Sequence, residues 1–180
     1  MEGTRINDYH NKFKKNNEKA VCLLARAEQD YIAGRLLIIE TMLEQGFCLI
    51  EQSVEKYLKA WLCLEGINYP LIHNLNNLLD LIITRHPDIS NYDWGGLFKI
   101  LEQRWVAKYD EKYIPLATIS TQDLDKIDQM IYEIRKQLPL PADFFDLLLI
   151  SKMCNNFDVG ILWHHQSDAL FERNKFFIKT

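Results

Sequence analysis

The sequence predicts an all-α protein, an antiparallel up-and-down bundle of four to five helices with a helical C-terminal extension. Three observations support this fold class. Apolar residues recur at helical spacing in five successive segments of the 180-residue chain. No segment shows the sustained apolar–polar alternation that is typical of a half-buried strand. The later segments are separated by prolines at Pro87, Pro115 and Pro139, which favours short links between antiparallel helices.

The first helical pattern runs from about residue 19 to 44. It carries two apolar stripes, one of which contains Tyr31 and Ile38. Two stripes imply a helix that is buried around much of its circumference. Residues 1–18 are polar and contain three lysines, so we expect them to form a polar N-terminal arm. Gly46 is expected to break the chain before the second helix begins.

The second helix, about residues 47–65, separates a polar face from an apolar face. The polar face places an amide, a carboxylate and two ammonium groups at i, i+3, i+4 and i+7: Gln52, Glu55, Lys56 and Lys59. The opposite face fits a buried stripe of apolar side chains: Ile50, Val54, Tyr57, Leu58 and Trp61. Gly66 then indicates a turn.

Three further helices are predicted downstream. The third starts after His73 and ends before Pro87, the fourth covers about residues 93–109, and the fifth runs from Ser120 to Leu138. The remaining residues, 139–180, form a C-terminal extension with a nearly continuous apolar run at 144–150. Such a run must be buried, so we expect the extension to pack on the bundle (residues 19–138) or in a dimer interface.

Composition narrows the classes of function. The net charge of −4 argues against a broad nucleic-acid surface but is compatible with a local basic patch. The chain shows no apolar signal core and no apolar run that approaches the length of a membrane span. Its four cysteines form no closely spaced pair, which favours reduced thiols. We therefore expect a cytoplasmic protein with no membrane association.

One ordered set of motifs is similar to a known family. Gln52-x-x-Glu55-Lys56-x-x-Lys59 is followed by Gly66 and by His73-x-Leu75, and the fourth helix ends in Ala107-Lys108-Tyr109-Asp110. Over roughly residues 19–138 this order resembles the HEPN superfamily. The resemblance implies a helical bundle that is usually a homodimer. It also implies nucleotide binding, metal-independent ribonuclease activity, or a nucleotidyltransferase partner in a two-gene, toxin–antitoxin-like module.

The fourth helix departs from the nuclease members of that family. Those members carry an arginine followed four to six residues later by a histidine. Arg104 lies in the matching region, but no histidine follows it at that spacing, and Lys108-Tyr109-Asp110 instead approximates the Arg-Tyr-Pro-Asp-like segment of non-nuclease members. The resemblance therefore implies binding without catalysis. A ribonuclease with a rearranged active site is the first alternative, and a structural adaptor dimer is the second.

We expect the ligand, a nucleotide, an RNA end or a protein partner, to bind in a cleft of the dimer. Its candidate residues are cationic, apart from one tyrosine: Lys56, Lys59, His73, Arg104, Lys108 and Tyr109. Each has a structural alternative. The two lysines suit a solvated pair supported by Glu55, His73 suits a cap of the third helix, and Arg104 suits an ion pair with Asp30 or Glu55.

The sequence predicts no metal site and no cofactor. His164, Asp168 and Glu172 lie at i, i+4 and i+8, a spacing that metal ligands use, but one helix alone offers incomplete coordination. No glycine-rich phosphate loop, catalytic serine motif or paired-cysteine motif is present in the sequence.

Overall fold

A computed structural model describes the backbone of residues 2–69, 73–92, 94–107, 121–140, 144, 148–155 and 168–178. Within these ranges it does not describe the side chains of residues 2–15, 90–91, 103–107 and 121. The elements are all helical: α1 (Glu2–Ile39), α2 (Leu43–Leu64), α3 (Leu75–Ile83), a 3₁₀ helix (Pro87–Asn91), α4 (Gly95–Ala107), α5 (Thr121–Gln137) and α6 (Leu149–Cys154). No strand occurs in these ranges, and the predicted all-α fold class is confirmed.

Helix α2 lies at the centre of the bundle and contacts α1, α3, α4 and α5. Its predicted apolar face is the middle of the core, where five side chains are at most 1% exposed: Ile50, Val54, Tyr57, Leu58 and Trp61. Full burial of a large apolar side chain stabilises a fold by about 1.5–3 kcal/mol. This stripe therefore fixes which face of α2 is left for polar side chains.

The break between α1 and α2 lies at residues 40–42, where Thr41 adopts a φ of +66°. The prediction that Gly46 makes this break was wrong. Gly46 instead lies inside α2 and faces Gly34 of α1. A Cβ on Gly46 would lie 2.8 Å from the Gly34 carbonyl oxygen, and one on Gly34 would lie 2.9 Å from the Gly46 carbonyl oxygen. The two glycines thus let the helix backbones touch.

Helix α1 starts at Glu2, so the backbone of residues 2–18, where a polar arm was expected, is helical. This segment contains no proline and several good helix formers such as lysine and glutamate. Polar composition alone therefore did not distinguish an arm from a helix.

The described part of the C-terminal extension packs on its own bundle. Leu148, Ile150 and Met153 are 2%, 1% and 3% exposed, respectively. The backbone N–H of Ile150 donates to Glu28 Oε2 of α1 at 2.8 Å. A helical turn at residues 168–171 adds Leu170 to the same core. The extension is thus a layer of the core next to α1 and α5.

A buried ion pair joins α1, α5 and the extension. Arg35 of α1 is 0% exposed and binds Asp128 of α5 through two bonds, Nε to Oδ1 and Nη2 to Oδ2, both 2.7 Å long. Its guanidinium also donates to the backbone carbonyls of Ala169, Leu170 and Glu172. These bonds use the fork of donors that arginine provides, so one side chain fixes three parts of the chain.

A second buried pair lies beside the first. Arg135 of α5 forms an ion pair with Glu28 and donates to Ser151 Oγ of the extension at 3.1 Å. Burial lowers the pKa of Arg135 to about 10. The guanidinium nevertheless stays charged at neutral pH, so removing its partner would leave a buried charge without compensation.

Candidate functional site

The polar face of α2 meets α1, α3 and α4 in a group of charged side chains that we call the polar cluster. Its members come from α1, α2 and α4 and from the link before α3: Asp30, Glu51, Glu55, Lys56, Lys59, His73 and Glu102. Helical spacing places the α2 members on one face. The buried stripe on the opposite side of α2 turns this face toward the surface.

The lysines of the polar cluster are held by carboxylates. Lys56 Nζ pairs with Asp30 Oδ2 of α1, and Lys59 Nζ pairs with Glu55 Oε1 on α2 itself. Glu55 Oε2 also lies 2.9 Å from His73 Nδ1, at hydrogen-bond distance. The His73 side chain is 68% exposed, while those of Lys56 and Lys59 are 25% and 12% exposed. Three cationic or protonatable groups are thus fixed on one partly open patch.

Two glutamates of the cluster respond differently to their surroundings. Glu51 is 2% exposed, and burial, together with the nearby Glu55 carboxylate, raises its pKa to about 7. Burial also acts to raise the pKa of Glu55, but hydrogen bonds from Lys59 and His73 outweigh it, so the pKa of Glu55 is lowered. At neutral pH Glu55 is therefore ionised, whereas Glu51 is only partly ionised.

The start of α3 is capped by Asn74, whose side chain accepts from the Asn77 N–H at 2.8 Å. Glu102 Oε1 of α4 accepts from the Leu75 N–H at 2.6 Å. The alternative in which His73 caps α3 was therefore wrong, because its imidazole contacts Glu55 instead. Since these two backbone donors are already used, an anion at the cluster would be held mainly by side chains.

Of the predicted site residues, the structure brings together Lys56, Lys59 and His73. The side chain of Arg104 and the whole of Lys108 and Tyr109 lie outside the described residues, so their roles stay predictions. Asp30 and Glu55, the partners considered for Arg104, pair with Lys56 and Lys59.

Sequence reasoning missed Glu51 and Glu102. Glu51 lies four residues before Glu55, a spacing that places both carboxyl groups on the same side of α2. That signal was available in the sequence. Glu102 contacts Leu75 from a different helix, and no spacing within one helix indicates such a contact.

A concave surface lies between α4 and α5, away from the polar cluster. It is a cleft of about 470 Å³. One wall holds the stacked rings of Tyr92 and Trp94, whose centres are 5.0 Å apart. The other lining residues are mixed in character: Gly96, Leu97, Ile100, Asp123, Lys126, Gln129, Met130 and Glu133. None of the predicted site residues is among them.

Within the described ranges, no group of three or more histidine, cysteine, aspartate or glutamate side chains is arranged to hold a metal ion. His164, from the sequence pattern considered above, lies outside those ranges. No helix in the part of the chain searched is both long and apolar enough to cross a membrane.

Comparison with known proteins identifies a family that matches most of the bundle. A sequence model of the family described as HEPN domain matches residues 20–136, about two thirds of the chain. The matched range contains α2 to α4, nearly all of α5 and every residue of the polar cluster. No curated protein and no solved structure matches the chain.

Proposed function

Because the chain belongs to the HEPN domain family, we propose that it binds the phosphate of a nucleotide or an RNA end at the polar cluster, without catalysis of its own. Family membership supports a nucleotide- or RNA-related role. The observation that carries the proposal is the convergence of Lys56, Lys59 and His73 on one partly exposed patch.

Binding would rest on charge-assisted hydrogen bonds to phosphate oxygens. An ammonium group has three donors, so Lys56 and Lys59 keep donors for a ligand while each contacts a carboxylate. Asp30 and Glu55 hold the two ammonium groups in place, which reduces the side-chain entropy that binding would otherwise cost. The patch is small and the chain is acidic overall, so the ligand is a single nucleotide or a short terminus rather than a duplex.

The test is titration of the purified protein with a short, 5′-phosphorylated, fluorescently labelled RNA. Combined Lys56→Ala and Lys59→Ala substitution removes two charged hydrogen-bond donors, each worth about 1.5 kcal/mol or more, so affinity should fall by more than tenfold. The slope of log affinity against log salt should also decrease by about 0.7 for each phosphate that the variant no longer neutralises. Lys136→Ala, at an exposed lysine of α5, is the control for charge. Equal decreases in affinity for the double variant and the control would contradict the proposal.

The ribonuclease alternative is favoured by one observation, the contact between His73 and Glu55. A carboxylate that orients an imidazole is a common feature of general acid–base catalysis. The test is incubation of wild type, His73→Ala and Arg104→Ala with transfer RNA and messenger RNA, without added metal. We expect no cleavage. Robust cleavage by the wild type that disappears in either variant would favour ribonuclease activity over binding without catalysis.

Two further expectations from the sequence, a nucleotidyltransferase partner and an adaptor role, stay predictions. Neither predicts that the wild-type protein binds the phosphorylated RNA through Lys56 and Lys59. The RNA titration of wild type and double variant therefore separates them from phosphate binding at the polar cluster.

A further inference from the structure

An aromatic ring lies near two lysines at the edge of the polar cluster. Tyr69 is in the link between α2 and α3. The Nζ atoms of Lys19 and Lys59 lie 4.6 Å and 5.6 Å from the centre of its ring, within the range of cation–π attraction. Since Lys59 is also a member of the polar cluster, the ring adjoins the surface where phosphate is proposed to bind.

The Tyr69 ring is held in a defined position. It packs against the hydrophobic core while remaining partly exposed. A ring held by core contacts presents a defined aromatic surface, which a stacking ligand can use without ordering the side chain first.

The two lysines differ in how far their charge is compensated. Lys59 pairs with Glu55, whereas Lys19 is exposed and forms no ion pair with a carboxylate in the described part of the chain. Lys19 therefore supplies a positive charge beside Tyr69 that no carboxylate ion pair in the described part of the chain offsets. An aromatic ring with flanking cations is the arrangement that binds single-stranded nucleic acid, because bases stack on the ring and phosphates meet the cations.

We propose that Tyr69, Lys19 and Lys59 form a nucleobase subsite next to the polar cluster, so that the site prefers a nucleotide or an unpaired RNA terminus over a phosphorylated sugar. This inference rests on the proposed function and adds the residues that contact the base. The base stacks on the exposed part of the Tyr69 ring. The flexible Lys19 side chain moves from the ring toward the phosphate, and Lys59 contacts the phosphate from the other side.

The experiment compares two ligands that differ only in the base, adenosine 5′-monophosphate and ribose 5-phosphate, by isothermal titration calorimetry. Wild type should bind the nucleotide roughly 5- to 100-fold more tightly, the range expected for one base stacked on one aromatic ring. Tyr69→Leu should remove this preference. Tyr69→Phe keeps the ring and should keep the preference, and Lys19→Ala should weaken both ligands together. Thermal melting of each variant checks that it is folded.

Equal affinities of wild type for the two ligands would overturn the nucleobase subsite and leave phosphate binding intact. A Tyr69→Leu variant that is folded and retains the nucleotide preference would also overturn it. If wild type binds neither ligand, the proposed function is overturned, and the subsite with it. The inference is supported if Tyr69→Leu loses the preference for the nucleotide and Tyr69→Phe retains it.

Discussion

Glu51 shows how burial changes a single side chain in this protein. Its pKa of about 7 exceeds the ordinary value of 4.5 because the carboxyl is buried beside Glu55. Between these values the folded protein holds a proton that the unfolded chain has released. The stability from this group is therefore fully present below pH 4.5 and decreases as the pH rises through 7. At about 1.36 kcal/mol per pKa unit, the decrease is on the order of 3 kcal/mol.

Glu51→Gln should remove this pH dependence, because an amide has nearly the shape of a carboxyl and does not ionise. We expect the variant to be about 2–3 kcal/mol more stable than wild type at pH 8 and close to wild type at pH 5. Urea unfolding at the two pH values measures the difference. If the two proteins differ in free energy of unfolding by the same amount at both pH values, Glu51 is not the titrating group.

Spacing along one helix predicted the shared face of Lys56 and Lys59, because residues three and four apart are neighbours on a helix. Their partners were harder to predict. Asp30 lies 26 residues from Lys56 in sequence, and Glu102 lies 27 residues from Leu75. Such contacts depend on how helices pack and not on a local pattern. The sequence therefore predicted the lysines of the site but not the contacts that its carboxylates make between helices.

At the scale of helices, the contact between α1 and α2 depends on two small residues. The hydrophobic pattern predicted the buried face of α2 correctly, since burial repeats with the helical period. It did not predict that Gly34 and Gly46 face each other, because a glycine that breaks a helix and one that permits close packing look alike in sequence. Only the packed structure distinguishes the two roles.

Gly46→Ala should destabilise the bundle. The new Cβ would lie 2.8 Å from the Gly34 carbonyl oxygen and 3.1 Å from the Ile38 backbone nitrogen, so the helices must separate, at a cost of about 1–3 kcal/mol. Gly96→Ala in α4 is the matched control, because its Cβ would meet nothing within 4 Å. It should be neutral or stabilising by up to about 1 kcal/mol. Chemical denaturation that ranks the two variants in the opposite order would refute the close-contact role.

At the scale of the whole molecule, the C-terminal extension is tied to the bundle by charges buried on α1 and α5. The sequence pattern predicted that the apolar run at 144–150 is buried, either on the bundle or in a dimer interface. It did not predict the Arg35–Asp128 pair, because its members lie 93 residues apart. Leu148 and Ile150 of this run are buried against the same chain, so these two residues are not available to a second subunit.

Asp128→Asn should destabilise the protein by about 3–5 kcal/mol, because it leaves the Arg35 charge buried without a counter-charge. Asp125→Asn on the same helix is the control. Asp125 pairs with Lys175, whose side chain is 71% exposed, and removal of such a surface pair costs less than about 1 kcal/mol. Urea unfolding gives both values, and limited proteolysis reports release of the extension. Equal stabilities of the two variants would contradict the anchoring role of Arg35.

We also expect a homodimer, as the sequence resemblance implies. With Leu148 and Ile150 covered, the solvent-exposed face of α4 is the better candidate for the interface, since Ile100 on that face is 41% exposed. Light scattering at micromolar concentrations should report twice the mass of one chain for wild type and a single chain for Ile100→Arg. A wild-type monomer across this range would rule out the dimer.

The most direct test of phosphate binding at the polar cluster is a two-dimensional nuclear magnetic resonance titration with adenosine 5′-monophosphate. Amide signals of ¹⁵N-labelled protein report which part of the chain the ligand touches. We predict saturable shifts centred on residues 52–59 of α2 and on residues 73–77 at the start of α3. Shifts confined to the α4–α5 cleft, or no saturable shifts at all, would contradict binding at the polar cluster.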